Sequence, residues 1–215
     1  MKKIIKTVII CMCVMIFGVF TGCSSKVDAQ AYLTALLDVS YKNDSKIFVD
    51  MELGTLEEAT AFYEQGIDSE MKAYLANFNV SEELESEFRQ LLKDMFAKVK
   101  YNVTDAKKLE DGSYVVTVSY EKMIIYKPVK EEYDKVVEGL YKEWSESGEI
   151  PSDDEINELL NEALKDCIRM TLENAGYEQA ATTEVRIDLT NNVYTPNQED
   201  VIKLEELLFD TDAVQ

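Results

Sequence analysis

The sequence predicts an α+β domain in which a small antiparallel sheet of about three strands is covered on one face by several amphipathic helices. Three observations predict this class. Most of the chain carries apolar residues three and four positions apart, the period of a half-buried helix. One central stretch instead alternates on both sides of Asp111-Gly112, a strong hairpin signal. The segment 182–190 also alternates and supplies the third strand.

Three helices are predicted before the hairpin. The first runs from Val27 to Lys42, and a short segment separates it from the second. The second begins with a capping box, in which Thr55 caps the helix and Glu58 reaches back, and it extends to near Asn79. The third begins at Ser81. The residues expected to face the core on the first and third helices are Leu33, Leu36, Leu37, Tyr41, Leu84, Phe88, Leu91, Leu92, Met95 and Phe96.

The hairpin has a predicted register. If Asp111 and Gly112 are its two turn residues, Glu110 pairs with Ser113, Val103 faces Tyr120, and Leu109 faces Tyr114 on the apolar side, with Lys108 on the other. Four tyrosines then project to the apolar side, where we favour core packing. The alternative is that their rings and hydroxyls line a pocket between sheet and helices. These residues are Tyr101, Tyr114, Tyr120 and Tyr126.

Two long helices, a strand and a last helix complete the prediction. Lys127-Pro128 ends the hairpin strand and opens a helix, and Ser152 to Glu155 forms a second capping box. Pro196 is expected at the first position of the last helix, which ends near Leu208. The apolar positions expected to be buried on the two long helices are Tyr133, Val136, Val137, Leu140, Tyr141, Trp144, Ile156, Leu159, Leu160, Ala163, Leu164, Cys167 and Ile168.

The N-terminus has the features of an export signal. Lys2, Lys3 and Lys6 precede fourteen uncharged residues, a run shorter than the roughly 20 residues of a membrane-spanning helix. The next residues, Phe20-Thr21-Gly22-Cys23, resemble the lipobox of bacterial lipoproteins. That resemblance implies cleavage before Cys23 and a diacylglyceryl group, with palmitate-type chains, on its thiol. We therefore expect a signal peptide at 1–22, a lipidated cysteine and tether at 23–28, and one domain at 29–215.

Composition restricts the chemistry. The predicted leader has three charged residues, all lysines, so its cleavage changes the net charge of the chain from −20 to −23. A protein this negative repels nucleic acid, which argues against nucleic-acid binding. The chain has no histidine, so a Ser-His-Asp triad is excluded and the commonest zinc ligand is missing. Cys167 is the only cysteine after Cys23 and is expected to be buried and inert. We predict no metal, no cofactor and no catalytic residues.

Several short segments resemble a family of lipoproteins of unknown function from Gram-positive bacteria. They are the lipobox, "LDVSYKND", "EEATAFYEQGID", "DGSYVVTVSY" and "VYTPNQEDVIKLEELLF". The resemblance implies a lipid-anchored domain on the extracytoplasmic face of the cell membrane. A helix-covered sheet is also similar to cystatin-like and NTF2-like folds.

Three functions are consistent with these features. We favour a non-enzymatic lipoprotein that binds a ligand or a partner protein. One alternative is an extracellular enzyme that acts on cell-wall or other surface material through carboxylates and tyrosines. The other is the substrate-binding component of a transporter, which would have two lobes.

Overall fold

The computed structural model describes residues 20–21, 27–75 and 80–214. Within these ranges the chain forms an α+β fold with seven α-helices and mainly antiparallel strands, which confirms the predicted class. The lipidation predicted at Cys23 falls outside the described residues. So does the end of the second predicted helix, which is described only as far as Leu75.

The elements follow one another in the order helices, hairpin, helices, strands, helix. The helices are α1 (Ala29–Leu37), α2 (Lys46–Asp50), α3 (Leu56–Leu75), α4 (Glu82–Ala97), α5 (Tyr126–Ser147), α6 (Asp153–Glu173) and α7 (Gln198–Leu208). The strands are β1 (Phe20–Thr21), β2 (Lys100–Lys108), β3 (Tyr114–Glu121), β4 (Met123–Ile124), β5 (Gly176–Tyr177), β6 (Ala181–Thr190) and β7 (Val193–Pro196). A π-helical turn (Asp38–Lys42) continues α1, and a 3-10 turn (Thr211–Val214) follows α7.

The main sheet has the strand order β1-β7-β6-β3-β2, and all its pairs are antiparallel. Strand β3, which lies between β6 and β2, alternates strictly between buried and half-buried residues, which is the period of a sheet with one covered face. The strands β4 and β5 form a separate two-stranded sheet. Side chains on the covered face include Val103, Tyr114, Val116, Val118, Tyr120, Val185 and Ile187.

The hairpin lies where it was predicted, but the predicted register is wrong. The loop has three residues, 110 to 112. The amide of Leu109 donates to the carbonyl of Ser113 and closes the loop, and the amide of Gly112 donates to the carbonyl of Leu109 inside it. Gly112 has φ +89°, so a left-handed residue follows the turn and lengthens the loop. Lys108, not Leu109, therefore pairs with Tyr114.

A second irregularity shifts the far end of the hairpin. The register changes between Val103 and Asp105, so Val103 pairs with Val118 and Tyr101 with Tyr120. The shift at the loop and the shift near Thr104 together move the register by two residues. Because side chains in a strand alternate between the two faces with a period of two, a shift of two residues leaves each side chain on its predicted face. The far end consequently keeps its predicted apolar face although every predicted pair there is wrong.

Strand β7 was not predicted, and its presence corrects the role of Pro196. Asn191 and Asn192 have φ +53° and +63°, and Thr190 pairs with Val193 across them. Two consecutive left-handed residues are typical of a tight hairpin turn, and asparagine tolerates that conformation. Pro196 thus ends β7, and Asn197 caps α7 by accepting the amide of Asp200 at 3.2 Å.

Both predicted capping boxes are present. The Thr55 amide donates to Glu58 at 2.8 Å, and the Ser152 amide donates to Glu155 at 2.9 Å. The predicted core stripe of the two long helices is only partly correct. Val136, Tyr141 and Leu159 are exposed, because the middle and far part of the α5–α6 pair projects beyond the sheet and its helices.

The core lies between the covered face of the sheet and helices α1, α3, α4 and α7. Its buried members all fall between Ala29 and Phe209. Among the described residues, those before Val27 are the two of β1. The hydrophobic core, as far as the structure describes it, is therefore contained in the chain that follows the predicted leader.

Candidate functional site

Two of the four predicted tyrosines, Tyr114 and Tyr120, are buried in the main core. Tyr114 is buried, with its ring 5.7 Å from that of Tyr194, and the Nζ of Lys108 lies 5.6 Å from its centroid. Tyr120 is buried on β3 opposite Tyr101. These contacts place both rings in the packed face of the sheet. A pocket-lining role for the four tyrosines remains a prediction.

Tyr126 does not lie on the hairpin, because the strand ends at Glu121 and Tyr126 is the first residue of α5. Its ring lies 6.1 Å from that of Phe209. Burial raises the pKa of its phenol above the usual tyrosine range, and the nearby carboxylates Glu70 and Asp210 add to the effect. Its hydroxyl is therefore a protonated group at physiological pH.

Tyr101 belongs to a polar cluster built on the π-helical turn. Its hydroxyl donates to Asp38 Oδ1 at 2.7 Å, and the Nζ of Lys42 lies 4.1 Å from its ring centroid and 3.2 Å from the same carboxylate oxygen. Burial, followed by Asp38, raises the pKa of the Tyr101 phenol. A phenol that stays protonated donates a hydrogen bond but cannot act as a base at neutral pH. The cluster connects the end of α1 to strand β2.

The π-helical turn that places Asp38 and Lys42 is defined by its end. Asn43 has φ +51° and ends the turn, and its amide donates to the carbonyl of Asp38. Val39, Ser40 and Tyr41 are all buried in this turn. Sequence analysis predicted an uninterrupted α-helix here. The signal available was Asn43, since asparagine at a helix end favours the left-handed conformation.

A second site was missed by sequence analysis. The buried carboxylate of Asp210 accepts the amides of Ile125 at 2.9 Å, Tyr126 at 2.8 Å and Lys127 at 2.9 Å. A carboxylate at a helix N-terminus satisfies amides without intrahelical partners and interacts favourably with the helix dipole. Here the cap of α5 comes from a residue more than 80 positions later. No local pattern predicts it.

Other reactive side chains are also held in structural roles. Cys167 is buried, and burial raises the pKa of its thiol, with the nearby carboxylates of Glu132 and Asp166 adding to the effect. A protonated, buried thiol is a weak nucleophile. In the part of the chain that the structure describes, no group of three or more Cys, Asp and Glu side chains is arranged to hold a metal ion.

Ion pairs on the helical side join separate elements. Arg89 of α4 pairs with Glu64 and Asp68 of α3, and Lys93 pairs with Glu64 at 2.7 Å. Arg169 of α6 pairs with Glu87 of α4 at 2.7 Å. These contacts link α3 to α4 and α4 to α6. Among the residues described, no helix has the length and apolar character needed to cross a membrane.

The sequence matches no known protein-family profile, and no curated protein is similar to it at a significant level. Its fold is similar to the crystal structure of ycdA, a Bacillus subtilis protein assigned as a lipoprotein, with a TM-score of 0.53 and 15% sequence identity. The alignment covers 83% of this chain and 55% of the Bacillus chain, so this chain spans about half the length of that neighbour. At this identity the likeness shows a shared fold.

Proposed function

We propose that this chain is the precursor of a lipid-anchored protein on the extracytoplasmic face of the cell membrane. Residues 1–22 form the signal peptide, Cys23 becomes the acylated N-terminus, and the domain at 29–215 acts by binding a partner. The observation that carries the proposal is the position of Cys23. It lies between the uncharged run of the leader and the start of the folded domain.

The start of the domain supports this boundary. Asp28 caps α1 by accepting the amide of Ala31 at 2.9 Å, so the first helix begins at Ala29, six residues after Cys23. A tether from Ser24 to Asp28 reaches at most about 17 Å when extended. The domain would thus stand close to the bilayer surface. Two acyl chains on Cys23 would hold it there stably, since each buried CH₂ contributes about 0.8 kcal/mol.

Binding is favoured over catalysis because of where the reactive groups lie. The phenols of Tyr101 and Tyr126 are held protonated, and the Cys167 thiol is buried. The chain contains no histidine to activate a nucleophile. The fold shared with a Bacillus protein assigned as a lipoprotein also supports a surface role.

Metabolic labelling with an alkyne fatty acid tests the anchor. The full chain is expressed in a Gram-positive host, and we expect label on the wild type, with the protein in the membrane fraction. Cys23→Ser should carry no label and should accumulate at the size of the uncleaved precursor. Cys167→Ser is the matched control and should be labelled like the wild type. Label on Cys23→Ser, or an unlabelled wild type in the medium, would refute the proposal.

A further inference from the structure

The α5–α6 pair extends beyond the main core. Its two helices have 22 and 21 residues, about 33 and 32 Å, and are joined by the short loop 148–152. Val129, Cys167 and Leu172 belong to the core cluster. The segment 136–164, here called the arm, contains Trp144 as its only buried hydrophobic side chain, and Trp144 is not a member of that cluster.

Exposed hydrophobic side chains are concentrated on this helical pair. In the described part of the chain, seven large hydrophobic side chains are exposed, and five of them lie between residues 136 and 170. A two-helix pair can bury only the line along which its helices meet, so its flanks stay open unless something packs on them. The five are Val136 at 39%, Tyr141 at 55%, Ile150 at 77%, Leu159 at 42% and Met170 at 60% exposure.

Three of these side chains share one flank. On α6, Leu159 and Met170 are eleven residues apart, which places them about 20° apart around the helix and about 16 Å apart along it. The side of α6 that packs on α4 carries Lys165, about 140° from Met170, and Lys165 is buried beside Glu87 of α4. Leu159 and Met170 therefore point away from α4.

Val136 of α5 lies on the same flank. Around the axis of α5, Val136 lies about 80° from the buried Trp144. Around the axis of α6, Leu159 and Met170 are displaced from Cys167 in the same rotational sense. Because both helices are right-handed and they run antiparallel, that sense corresponds to one side of the pair. The half-buried Ala163 lies between Leu159 and Met170. Val136, Leu159, Ala163 and Met170 thus form one apolar strip on this flank of the helix pair, here called the open groove, about three helical turns long.

Gly139 gives independent support. It lies inside α5 beside the open groove, and a Cβ added there would meet nothing within 4 Å. Glycine in a helix interior is less favourable than alanine by about 1 kcal/mol. Packing within the chain does not explain this glycine, whereas close approach of another backbone would.

The acidic residues around the open groove indicate which kind of partner could bind there. Residues 136–170, the stretch that carries the open groove, contain ten acidic and three basic side chains, a net charge of −7. A second copy docked through the same groove would bring two such arms together, which like-charge repulsion opposes. A helix with an apolar stripe flanked by Lys or Arg would complement both the groove and its rim.

We propose that the open groove is a docking site for a basic amphipathic helix of a partner protein, which would complete a three-helix bundle with α5 and α6. This inference rests on the proposed function only in assuming that the domain works by binding a protein. It does not depend on the lipid anchor.

Trp144 allows a direct test, because it is the only tryptophan in the chain and lies on the arm, with its ring 5.2 Å from that of Tyr141. Residues 24–215 contain the whole described core. This domain is titrated with a tryptophan-free, 18-residue Lys/Leu amphipathic helix while Trp144 emission is recorded. We expect a saturable change at low salt, with a Kd at least ten times higher in about 0.3 M salt. A Glu/Leu peptide of the same pattern should give no change.

Variants identify the surface. Leu159→Gln and Met170→Gln should each raise the Kd at least tenfold, while circular dichroism stays unchanged because both side chains are already exposed. The matched control is Leu56→Gln, whose side chain is exposed on α3, and it should bind like the wild type.

Three results would overturn the inference. They are equal binding of both peptides, no effect of either groove variant, and a concentration-dependent dimer in sedimentation that Leu159→Gln abolishes. The last result would assign the groove to a second copy. Fatty-acid labelling of Leu159→Gln in cells should remain normal, so failure of the docking inference is distinguishable from failure of the anchor.

Discussion

The near and far parts of the α5–α6 pair differ in what holds them. At the near end, Asp210 caps α5 from the C-terminal segment, and Leu172 is buried in the main core. At the far end, α6 begins with a capping box made only of its own residues, and Leu159 is exposed. Long-range contacts therefore stabilise one end, and local contacts the other.

This difference shows how one helical pair can serve two purposes. The near part joins the α5–α6 pair to the sheet and to α4, so its side chains are constrained by packing. The far part has fewer such constraints and keeps hydrophobic side chains exposed at some cost in solubility. Four measurements can sharpen or contradict this contrast.

The largest effect is expected for Asp210→Ala. The buried amide of Ile125 and the part-buried amides of Tyr126 and Lys127 would lose their acceptor, and a buried unsatisfied donor costs about 1–3 kcal/mol. We expect the free energy of unfolding in urea to fall by about 3 kcal/mol or more. Asp212→Ala, an exposed residue two positions later, should change it by less than about 0.5 kcal/mol. Similar values for the two variants would show that the long-range cap is unimportant.

The second measurement compares two leucines on α6. Leu172 is buried in the main core, so Leu172→Ala should lower the free energy of unfolding by about 2–4 kcal/mol. Leu159→Ala removes an exposed side chain from the same helix and should cost less than about 1 kcal/mol. Equal losses in urea denaturation would mean that the far part is packed as tightly as the near part.

The third measurement concerns Gly139 inside α5 and Gly148 directly after it, which both face open space. Gly139→Ala should raise the free energy of unfolding by up to about 1 kcal/mol, because alanine is the better helix former and meets no neighbour. Gly148 has φ +72° at the helix end, so Gly148→Ala should be destabilising through backbone strain. If Gly139→Ala instead lowers the free energy of unfolding, a packing constraint exists at this position beside the open groove.

The smallest effect is expected from acidification of the capping boxes. Amides of Thr55 and Ser152, followed by their hydroxyls, hold the pKa of Glu58 and Glu155 below the usual glutamate range. A folded-state pKa below the unfolded value stabilises the fold at neutral pH, and this contribution is lost as the pH falls below about 4.3 and through the folded-state pKa.

Glu155→Gln tests this pH dependence. It should be less stable than the wild type at pH 7, and the two should converge at an acid pH below the folded-state pKa of Glu155. Glu158→Gln, one turn further along α6, should show a smaller difference at pH 7. If the free energies of unfolding of Glu155→Gln and the wild type differ by the same amount at both pH values, the capping carboxylate does not act through its charge.

Local signals predicted much of this fold. The two capping boxes, Ser81 as the cap of α4, and the location of the hairpin were all correct, because each depends on residues a few positions apart. The register of that hairpin was not predictable with the same rules. It depends on whether Gly112 lies inside a two-residue turn or follows it, and on an irregularity near Thr104.

The candidate site was less predictable than the fold. Periodicity identified Val136 and Leu159 as apolar positions and therefore predicted that they are buried. Whether a helix of about 33 Å lies wholly over the core depends on the size of the sheet and on where neighbouring helices end. Exposure of the open groove is thus a property of the assembled domain.

By itself, the sequence determined the α+β class, the starts of α3, α4 and α6, the apolar face of the hairpin, and the expectation of an acylated cysteine ahead of the domain. Each depends on the chemistry of neighbouring residues or on a short period. Only the tertiary structure decided that Asp210 caps α5, that Asp38 meets Tyr101, and that the arm extends past the core. These features join residues 63 to 85 positions apart or depend on how far the core reaches, and a local pattern contains no information on either.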